Sequence, residues 1–320
     1  MQARIIGTGM ALPELVVTND DLAKIMDTSD EWITERTGVK TRHLAVKEGT
    51  SSLAIEAAKK ALENAGMDAH ELDLIIAATV TPDRLLPFLS GEIQAGIDAM
   101  QAAAFDMVVG CSGYLYAISV ANAYVQAGMY KNILIVGAET LSRIMNWEDR
   151  KSCILFGDGA GATVIKADEV GVIRSILGTD GKAGPALGCE ARPLQNPYVH
   201  NEWDYPYVVM AGQEVYKFAV RTVPKCINEV LDAEGISADE IKYFVIHQAN
   251  LRMIEAIAKR LGQSMDKFPA CIQETGNVSA ASIPMVLDRI NRAGKLNRGD
   301  KLVFAGFGAG LTWGASVLTW

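Results

Sequence analysis

Short runs of apolar residues alternate with longer amphipathic stretches along this chain. Four such runs are residues 74–78, 132–137, 244–246 and 301–306. Short continuous apolar runs, separated by glycine-containing polar segments, are typical of strands buried on both faces of a parallel sheet. The pattern therefore predicts an α/β fold in which helices cover the sheets.

The same order of elements occurs twice, at an offset of about 169 residues. Segment 65–73 resembles segment 234–242, and an apolar run follows each of them. The later strand-like runs match in the same way, and a helix-like stretch lies between the strands of each copy. Four matched elements at nearly one offset predict a duplicated, layered αβαβα fold with buried central helices and two pseudo-equivalent halves, 1–170 and 171–320.

Composition and charge narrow the class of protein. The net charge of −8 disfavours a general nucleic-acid binder, which normally carries a basic excess. The five cysteines include no CxxC pair, so the sequence suggests neither a metal site nor a disulfide framework, and we expect a cytoplasmic location. The chain begins without a signal-peptide pattern. The uncharged segments 107–130 and 302–320 contain glycine and polar residues, so we interpret them as core elements and expect no membrane partner.

Cys111 stands between two glycines, where a strand-like run gives way to a long helix-like run. A thiol at the start of a buried helix lies in the positive end of the helix dipole. This position predicts a pKa lowered from about 8.5 toward roughly 3.5–7.5 and makes Cys111 a candidate nucleophile. The alternative is a buried cysteine that acts as a small apolar side chain, and this segment alone favours that alternative.

The repeat brings two further polar residues toward this cysteine. His247 follows an apolar strand, and Asn277 lies at the start of the second central helix. Ligands commonly bind beyond the strand ends of α/β sheets, so we expect the three side chains at one site. Taken singly, His247 is equally consistent with a core histidine and Asn277 with a helix N-cap, for which Asn is among the preferred residues.

Six short motifs stand in order along the chain: DEWITERTG at 30–38, GCSG at 110–113, FGDGAGA at 156–162, HQAN at 247–250, GNVSAASIP at 276–284 and GFGAGLTWG at 306–314. On these motifs the chain resembles the β-ketoacyl-acyl carrier protein synthase III family, condensing enzymes of the thiolase-like superfamily. The resemblance runs from Ile6 to the C-terminus. A single motif such as GDG is weakly specific, whereas the six together are highly specific.

The resemblance implies a catalytic triad of Cys111, His247 and Asn277. An acyl-coenzyme A primer would acylate Cys111, and malonyl-acyl carrier protein would then lose carbon dioxide and supply the attacking carbanion. Coenzyme A enters as a thioester substrate, and no cofactor is implied. Backbone N–H groups of Cys111 and Ala309 would hold the oxyanion, while His247 and Asn277 would stabilise the enolate. The β-ketoacyl-acyl carrier protein formed initiates type II fatty-acid synthesis.

The resemblance also implies residues that bind coenzyme A. Trp32 and Arg36 lie four residues apart in a short predicted helix, so the indole can stack on adenine while the guanidinium meets phosphate. Without the resemblance, a half-buried tryptophan and a solvated arginine are the simpler interpretation. The whole implied set is Thr28, Trp32, Arg36, Arg150, Met210, Gly212, Tyr216, Ala249, Asn250 and Phe307.

Basic residues recur at helical spacing in this acidic chain. Lys217, Arg221 and Lys225 are four residues apart, although we expect Pro224 to interrupt the helix, and Arg252 and Lys259 are seven apart. Such rows would steer an acidic carrier protein toward the site, and the resemblance places a carrier-protein contact at Arg252. The predicted carrier-protein residues are Lys217, Arg221, Arg252 and Lys259, with a solvated helix face as the alternative.

The chain departs from the family pattern at three informative positions. Gly110 stands where alanine is common, and Ala309 stands where glycine is common. Leu86 replaces an aromatic residue in the segment where the family builds its acyl-pocket wall across a homodimer. This change predicts room for longer or branched primers.

Two other functions stay open at this point. One is a starter-unit ketosynthase, or an acyltransferase of the same fold, in a polyketide or other secondary-metabolite pathway. The other is a non-catalytic partner subunit, which would be expected to lose triad residues.

Overall fold

The computed structural model describes residues 1–202 and 206–320. The strands of the described chain are β1 (Gln2–Ala11), β2 (Leu15–Thr18), β3 (Thr41–Leu44), β4 (Leu74–Ala78), β5 (Ala103–Met107), β6 (Asn132–Thr140), β7 (Asp158–Asp168), β8 (Val172–Gly184), β9 (Leu187–Gly188), β10 (Val209–Met210), β11 (Ile241–Ile246), β12 (Lys301–Gly308) and β13 (Gly310–Thr319). The α-helices are α1 (Asn19–Ala23), α2 (Asp30–Thr37), α3 (Thr50–Ala65), α4 (Leu89–Gly96), α5 (Gly113–Gln126), α6 (Gly212–Asp232), α7 (Leu251–Leu261), α8 (Ile272–Thr275) and α9 (Ser282–Arg292).

Two mixed sheets form the frame of the molecule. The first has the strand order β1-β7-β6-β4-β5, and the second has the order β11-β12-β13-β8. The apolar runs predicted as parallel strands are parallel, because β4 pairs in parallel with β5 and β6, and β11 with β12. The remaining neighbours in both sheets pair antiparallel.

The duplication predicted from the sequence is confirmed by the strand register. In the first sheet Leu74 pairs with Ile133, and in the second Tyr243 pairs with Leu302. Both members of the pair therefore move by the same 169 positions, given by 243 − 74 and by 302 − 133. The two halves of the repeat build the same parallel pair in the same register.

The helices form three layers around the two sheets. Residues of α5 and α9 share one apolar core with the inner faces of both sheets. Helices α3 and α4 cover the outer face of the first sheet, and α6 and α7 cover the outer face of the second. The order is αβαβα, as predicted. The uncharged segments become α5 and the pair β12–β13, and no helix in the described ranges is long and apolar enough to cross a membrane.

The prediction that Pro224 interrupts its helix is wrong. Helix α6 continues through Pro224, which is itself buried, and the apolar side of the helix packs on the second sheet. An internal proline removes one backbone hydrogen bond and costs roughly 3 kcal/mol. Burial of a long apolar face outweighs that local cost, at about 25 cal/mol per Å² of apolar surface.

Two short turns meet where the central helices begin. A 3-10 turn at Gly110–Ser112 precedes α5, and a second at Ser279–Ala281 precedes α9. Gly137 of β6 lies directly under the second turn, because a Cβ atom at this position would collide with the Ala280 carbonyl oxygen. The absence of a side chain there lets the second turn approach the sheet and the first turn.

Candidate active site

Cys111 lies in a turn that two glycines make possible. Gly110 has φ = +58°, a left-handed conformation that glycine adopts without steric cost. On the other side of the turn, a Cβ atom at Gly308 would come within 2.7 Å of the Cys111 backbone nitrogen. Strand β12 therefore passes close enough to bring the backbone of Ala309 to the sulfur.

The departures at Gly110 and Ala309 lie against each other. A Cβ atom added at Gly110 would be 3.3 Å from the Cβ of Ala309. That separation is tight for two methyl groups, so this turn accommodates a methyl group more easily at one position than at both. The two departures from the family pattern therefore compensate each other in volume.

The environment of the Cys111 thiol opposes its ionisation. The residue keeps some surface toward the cavity, yet burial raises the pKa of the thiol to about 11. Hydrogen bonds from the Ser279 side chain and from the backbone N–H groups of Cys111 and Ala309 act in the opposite direction but are smaller. The prediction of a lowered pKa is therefore wrong, because the loss of solvation on burial outweighs the groups that favour the thiolate.

His247 follows β11 and is anchored by its backbone N–H, which donates to the Ala305 carbonyl at 2.9 Å. The ring lies edge-on to Phe307, with 5.6 Å between the ring centroids. Burial lowers the pKa of His247 to about 3. Within the described chain its Nδ1 atom is buried and has no hydrogen-bond partner. Both Cys111 and His247 are therefore neutral near pH 7.

Asn277 is fixed by its backbone and by its side-chain oxygen. Its N–H donates to the Leu155 carbonyl at 2.8 Å, and its own carbonyl accepts from Gly157 at 3.0 Å. The side-chain Oδ1 accepts from the Ser279 backbone N–H at 2.8 Å. With the oxygen engaged in this turn, the NH2 group is the part of the side chain left to face the cavity, whose wall includes Asn277. Asn277 can therefore cap the turn through its Oδ1 atom and still donate a hydrogen bond to a substrate through its NH2 group.

A single cavity of about 1540 Å³ connects these residues with much of the predicted binding set. Its walls include Cys111, His247 and Asn277, the three residues of the predicted triad, and Ala309. They also include the following predicted coenzyme A residues: Trp32, Arg36, Met210, Gly212, Tyr216, Ala249, Asn250 and Phe307. Asn250 has a structural part as well, because its Oδ1 accepts from the Arg252 N–H at the start of α7 and its amide donates to the Arg36 carbonyl.

Trp32 lies on α2 beneath two guanidinium groups. The central carbon of Arg36 is 4.5 Å from the indole centroid, and that of Arg150 is 5.2 Å from it. Arg150 also forms an ion pair with Asp27 at 3.0 Å. Arg150 does not line the cavity itself, nor does Thr28, whose hydroxyl is buried and unpaired within the described ranges. Trp32 and Arg36 thus bring an aromatic ring and a positive charge together in the cavity wall.

The predicted basic residues divide into two groups. Lys217 and Arg252 line the cavity, whereas Arg221 and Lys259 lie on α6 and α7 outside it. Leu86 is 80% exposed and does not line the cavity of its own chain, although its neighbour Leu85 does. A wall formed by Leu86 across a dimer stays a prediction.

Two residues that the sequence analysis left without a role approach the sulfur. Ser279 lies inside the quoted GNVSAASIP motif, lines the cavity together with Cys111, and acts to lower the pKa of the Cys111 thiol. Glu139 is fully buried at the end of β6, and its charge acts on Cys111. In the sequence, Glu139 stands out because it is an acidic residue at the end of an otherwise apolar strand. Only the fold shows that its charge acts on Cys111.

Comparison with known proteins extends the match over the whole chain. Family models described as 3-oxoacyl-[acyl-carrier-protein (ACP)] synthase III and its C-terminal part match residues 105–181 and 231–320. A β-ketoacyl-[acyl-carrier-protein] synthase III from Clostridium acetobutylicum is 46% identical, covering 99% of this chain and 98% of the relative. The crystal structure of a 3-oxoacyl-[acyl-carrier-protein] synthase III from Aquifex aeolicus VF5 is 41% identical, with a TM-score of 0.94, covering 99% of this chain and 100% of that one.

A more distant relative comes from another pathway. The priming β-ketosynthase from the R1128 polyketide biosynthetic pathway is 33% identical, with a TM-score of 0.93, covering 99% of this chain and 96% of that one. The duplicated layered fold and these relatives define a thiolase-like condensing enzyme, an acyltransferase by class. Within that class, the chain belongs to the 3-oxoacyl-[acyl-carrier-protein] synthase III family.

We predict that His247 stays neutral throughout pH 5–8, because burial lowers its pKa from 6.5 to about 3. Between these two values the unfolded chain binds a proton that the folded chain does not, so this residue lowers stability as the pH falls through that range. Nitrogen-15 NMR of labelled histidine rings, assigned with His247→Gln, measures the protonation state. A His247 signal that titrates near 6.5 contradicts the prediction.

Proposed function

We propose that this protein uses Cys111, His247 and Asn277 to condense an acyl-coenzyme A primer with malonyl-acyl carrier protein. The reaction is the decarboxylating step that initiates type II fatty-acid synthesis, as in the synthase III family to which the chain belongs. The observation that carries the residue roles is the convergence of these three side chains, and of the Ala309 backbone, on one cavity.

In the first half-reaction, Cys111 attacks the thioester carbonyl of acyl-coenzyme A. A bond forms between the cysteine sulfur and the acyl carbon, the bond to the coenzyme A sulfur breaks, and coenzyme A leaves as a thiol with the proton from Cys111. The N–H groups of Cys111 and Ala309, which favour negative charge at the sulfur, hold the negative oxygen of the tetrahedral intermediate. Trp32, Arg36 and the other cavity residues bind the coenzyme A portion.

In the second half-reaction, malonyl-acyl carrier protein places its thioester carbonyl between His247 and Asn277. A neutral imidazole and the Asn277 NH2 group donate hydrogen bonds to this oxygen as carbon dioxide leaves and an enolate forms. Neutral donors suit this step because the negative charge develops only in the transition state. The enolate carbon then attacks the acyl group on Cys111, and the cysteine leaves as a thiolate that takes a proton. The products are β-ketoacyl-acyl carrier protein and carbon dioxide.

We further propose the assembly and setting of the enzyme. Two thioester substrates supply all the reacting groups, so the condensation requires no cofactor. A cytoplasmic location suits an enzyme with free thiols, five of which are present. A homodimer is supported by exposed apolar residues in one loop, where Leu85 and Leu86 are 88% and 80% exposed. A division of the chain into halves at 170/171 is supported by the change of sheet between β7 and β8.

The other functions are less well supported. The priming polyketide β-ketosynthase is 33% identical to this chain, whereas β-ketoacyl-[acyl-carrier-protein] synthases III reach 47%. A non-catalytic subunit is disfavoured because all three triad residues are present and face the cavity. The acyl pocket selects the primer, and we propose that Leu86 governs the length of the acyl chain that this pocket accepts.

Variants of Asn277 distinguish the two half-reactions, acylation of Cys111 and decarboxylation of malonyl-acyl carrier protein. We predict that Asn277→Asp acylates Cys111 at a near-normal rate but decarboxylates malonyl-acyl carrier protein about 10²–10³ times more slowly, because one donor to the enolate is lost. The Asp side chain keeps the oxygen that accepts from Ser279, so the turn is preserved. Asn277→Ala, which removes both groups, is the matched comparison. Radiolabelled acyl-enzyme and released carbon dioxide measure the two steps, and equal loss of both contradicts the division.

The carrier-protein surface is tested by charge reversal on α7. We predict that Arg252→Glu raises the KM for malonyl-acyl carrier protein about tenfold at low salt, through a slower association with the acidic partner, while priming by acyl-coenzyme A is unchanged. Arg260→Glu reverses an exposed charge on the same helix and serves as the control. Equal effects of the two variants, or equal loss of priming by Arg252→Glu, would count against this surface.

A further inference from the structure

Arg42 is a charged residue that the proposed mechanism does not use. It lies on β3 and is fully buried. Its guanidinium donates to the Val17 carbonyl at 3.3 Å, to the Asn19 Oδ1 atom at 2.8 Å and to the Ile154 carbonyl at 3.0 Å. These acceptors are all neutral, and burial lowers the pKa of Arg42 only to about 10, so the buried group is charged at neutral pH. Burying such a charge is costly, so an arginine retained at this place needs an explanation.

One contact of the guanidinium fixes the segment on which Asn277 depends. Arg42 holds the Ile154 carbonyl, and the next carbonyl along the chain, that of Leu155, accepts from the Asn277 N–H at 2.8 Å. Two residues further on, the Gly157 N–H donates to the Asn277 carbonyl at 3.0 Å. The backbone of Asn277 is therefore paired on both sides with a segment that Arg42 anchors.

Strand β3 also lies directly against the residues that precede Asn277. A Cβ atom added at Gly276 would be 3.3 Å from the Cβ of Arg42, so the arginine stem packs on the peptide next to Asn277. Helix α8, which ends one residue earlier, is joined to the start of β3, because the Lys40 N–H donates to the Gln273 carbonyl at 2.8 Å. The turn at residues 276–279 is thus held by β3 from one side and by the Ile154 segment from the other.

A second contact of the guanidinium leads to helix α2, which carries Trp32 and Arg36. Asn19 accepts from the guanidinium through its Oδ1 atom, and its own NH2 group donates to both ends of this helix. At the start of α2 it donates to the Asp30 carboxylate at 2.8 Å, and just beyond the end it donates to the Val39 carbonyl at 2.8 Å. Asn19 is itself buried, so this second path from the guanidinium is also closed to solvent.

A guanidinium group has five N–H donors in a rigid fork, so one arginine can hold acceptors from three separate segments in a fixed arrangement. We propose that Arg42 is a positioning residue for the reaction, which fixes helix α2 and the turn of Asn277 relative to each other. It acts through Asn19 and Ile154 and does not itself line the cavity. The proposal rests on the proposed function for the roles of α2 in binding coenzyme A and of Asn277 in decarboxylation.

The two paths are tested separately by Arg42→Lys and Asn19→Ala in the full-length protein. Arg42→Lys keeps the charge but loses the fork, so we expect release of carbon dioxide from malonyl-acyl carrier protein to slow about 10–100-fold as the Asn277 amide is misplaced. Its KM for acyl-coenzyme A should rise about fivefold, the worth of one ordinary hydrogen bond, with an unchanged maximal rate of Cys111 acylation. Asn19→Ala cuts only the path to α2, so we expect the same rise in KM and decarboxylation within twofold of the unmodified chain.

Asn122→Ala is the control for a loss of stability alone. Asn122 is a buried side chain on α5 that accepts from the Ala3 N–H at 2.9 Å and has no part in either path. We expect this variant to melt at a lower temperature but to keep the KM and both rates per folded molecule. If Arg42→Lys behaves like this control, or slows both half-reactions equally without a change in KM, Arg42 has only a structural role and the proposal is overturned.

Hydrogen–deuterium exchange provides a readout that needs no substrate. The amides of Asn277 and Gly157 form the pairing that Arg42 anchors, so we expect both to exchange about tenfold faster in Arg42→Lys than in Asn122→Ala, because the pairing opens locally. Equal protection of these amides in the two variants would refute the role of Arg42. A failure of the unmodified chain to decarboxylate malonyl-acyl carrier protein would instead count against the proposed function alone.

Discussion

The site depends on the close approach of backbone segments at the middle of the layers. Gly137 lets the turn before α9 contact β6, and Gly308 lets β12 contact the turn that carries Cys111. A methyl group at either position would push two elements apart at the point where they meet. Because cores are packed to nearly crystalline density, such a shift would move the donors around the sulfur as well. The geometry of the cavity floor therefore depends on these two glycines as much as on the proposed catalytic residues.

The same close approach excludes solvent and sets the charge state of the reacting groups. Burial raises the pKa of Cys111 and lowers that of His247, so the resting pair is a neutral thiol and a neutral imidazole. An ion pair would bind an anionic malonyl group through charge before any reaction. A neutral pair instead offers hydrogen bonds that strengthen as negative charge develops. The low polarity of the floor is thus part of the proposed chemistry, and the charge of Glu139 further raises the pKa of Cys111.

Much of the fold can be predicted from the sequence, because short apolar runs and a repeat at constant offset are visible in it, whereas the proposed triad came from the family resemblance of six motifs. The rest depends on contacts between distant segments. The direction of the Cys111 pKa shift follows from how deeply the turn is buried, which no dipole argument at a helix start can supply. Pro224 stays helical because of tertiary burial, and the mutual fit of Gly110 and Ala309 links positions about 200 residues apart. The effect of Glu139 on the pKa of Cys111 likewise exists only once β6 and the turn that carries Cys111 have come together.

The central claim is that Cys111 carries the acyl group through a neutral cavity floor shared with His247 and Asn277. Mass spectrometry of the protein incubated with acyl-coenzyme A, and then with malonyl-acyl carrier protein, tests this claim most directly. We expect a thioester confined to the Cys111 peptide, and its discharge as β-ketoacyl-acyl carrier protein when the second substrate is added. An acyl group on another cysteine, or an acyl-Cys111 that malonyl-acyl carrier protein leaves untouched, would contradict it.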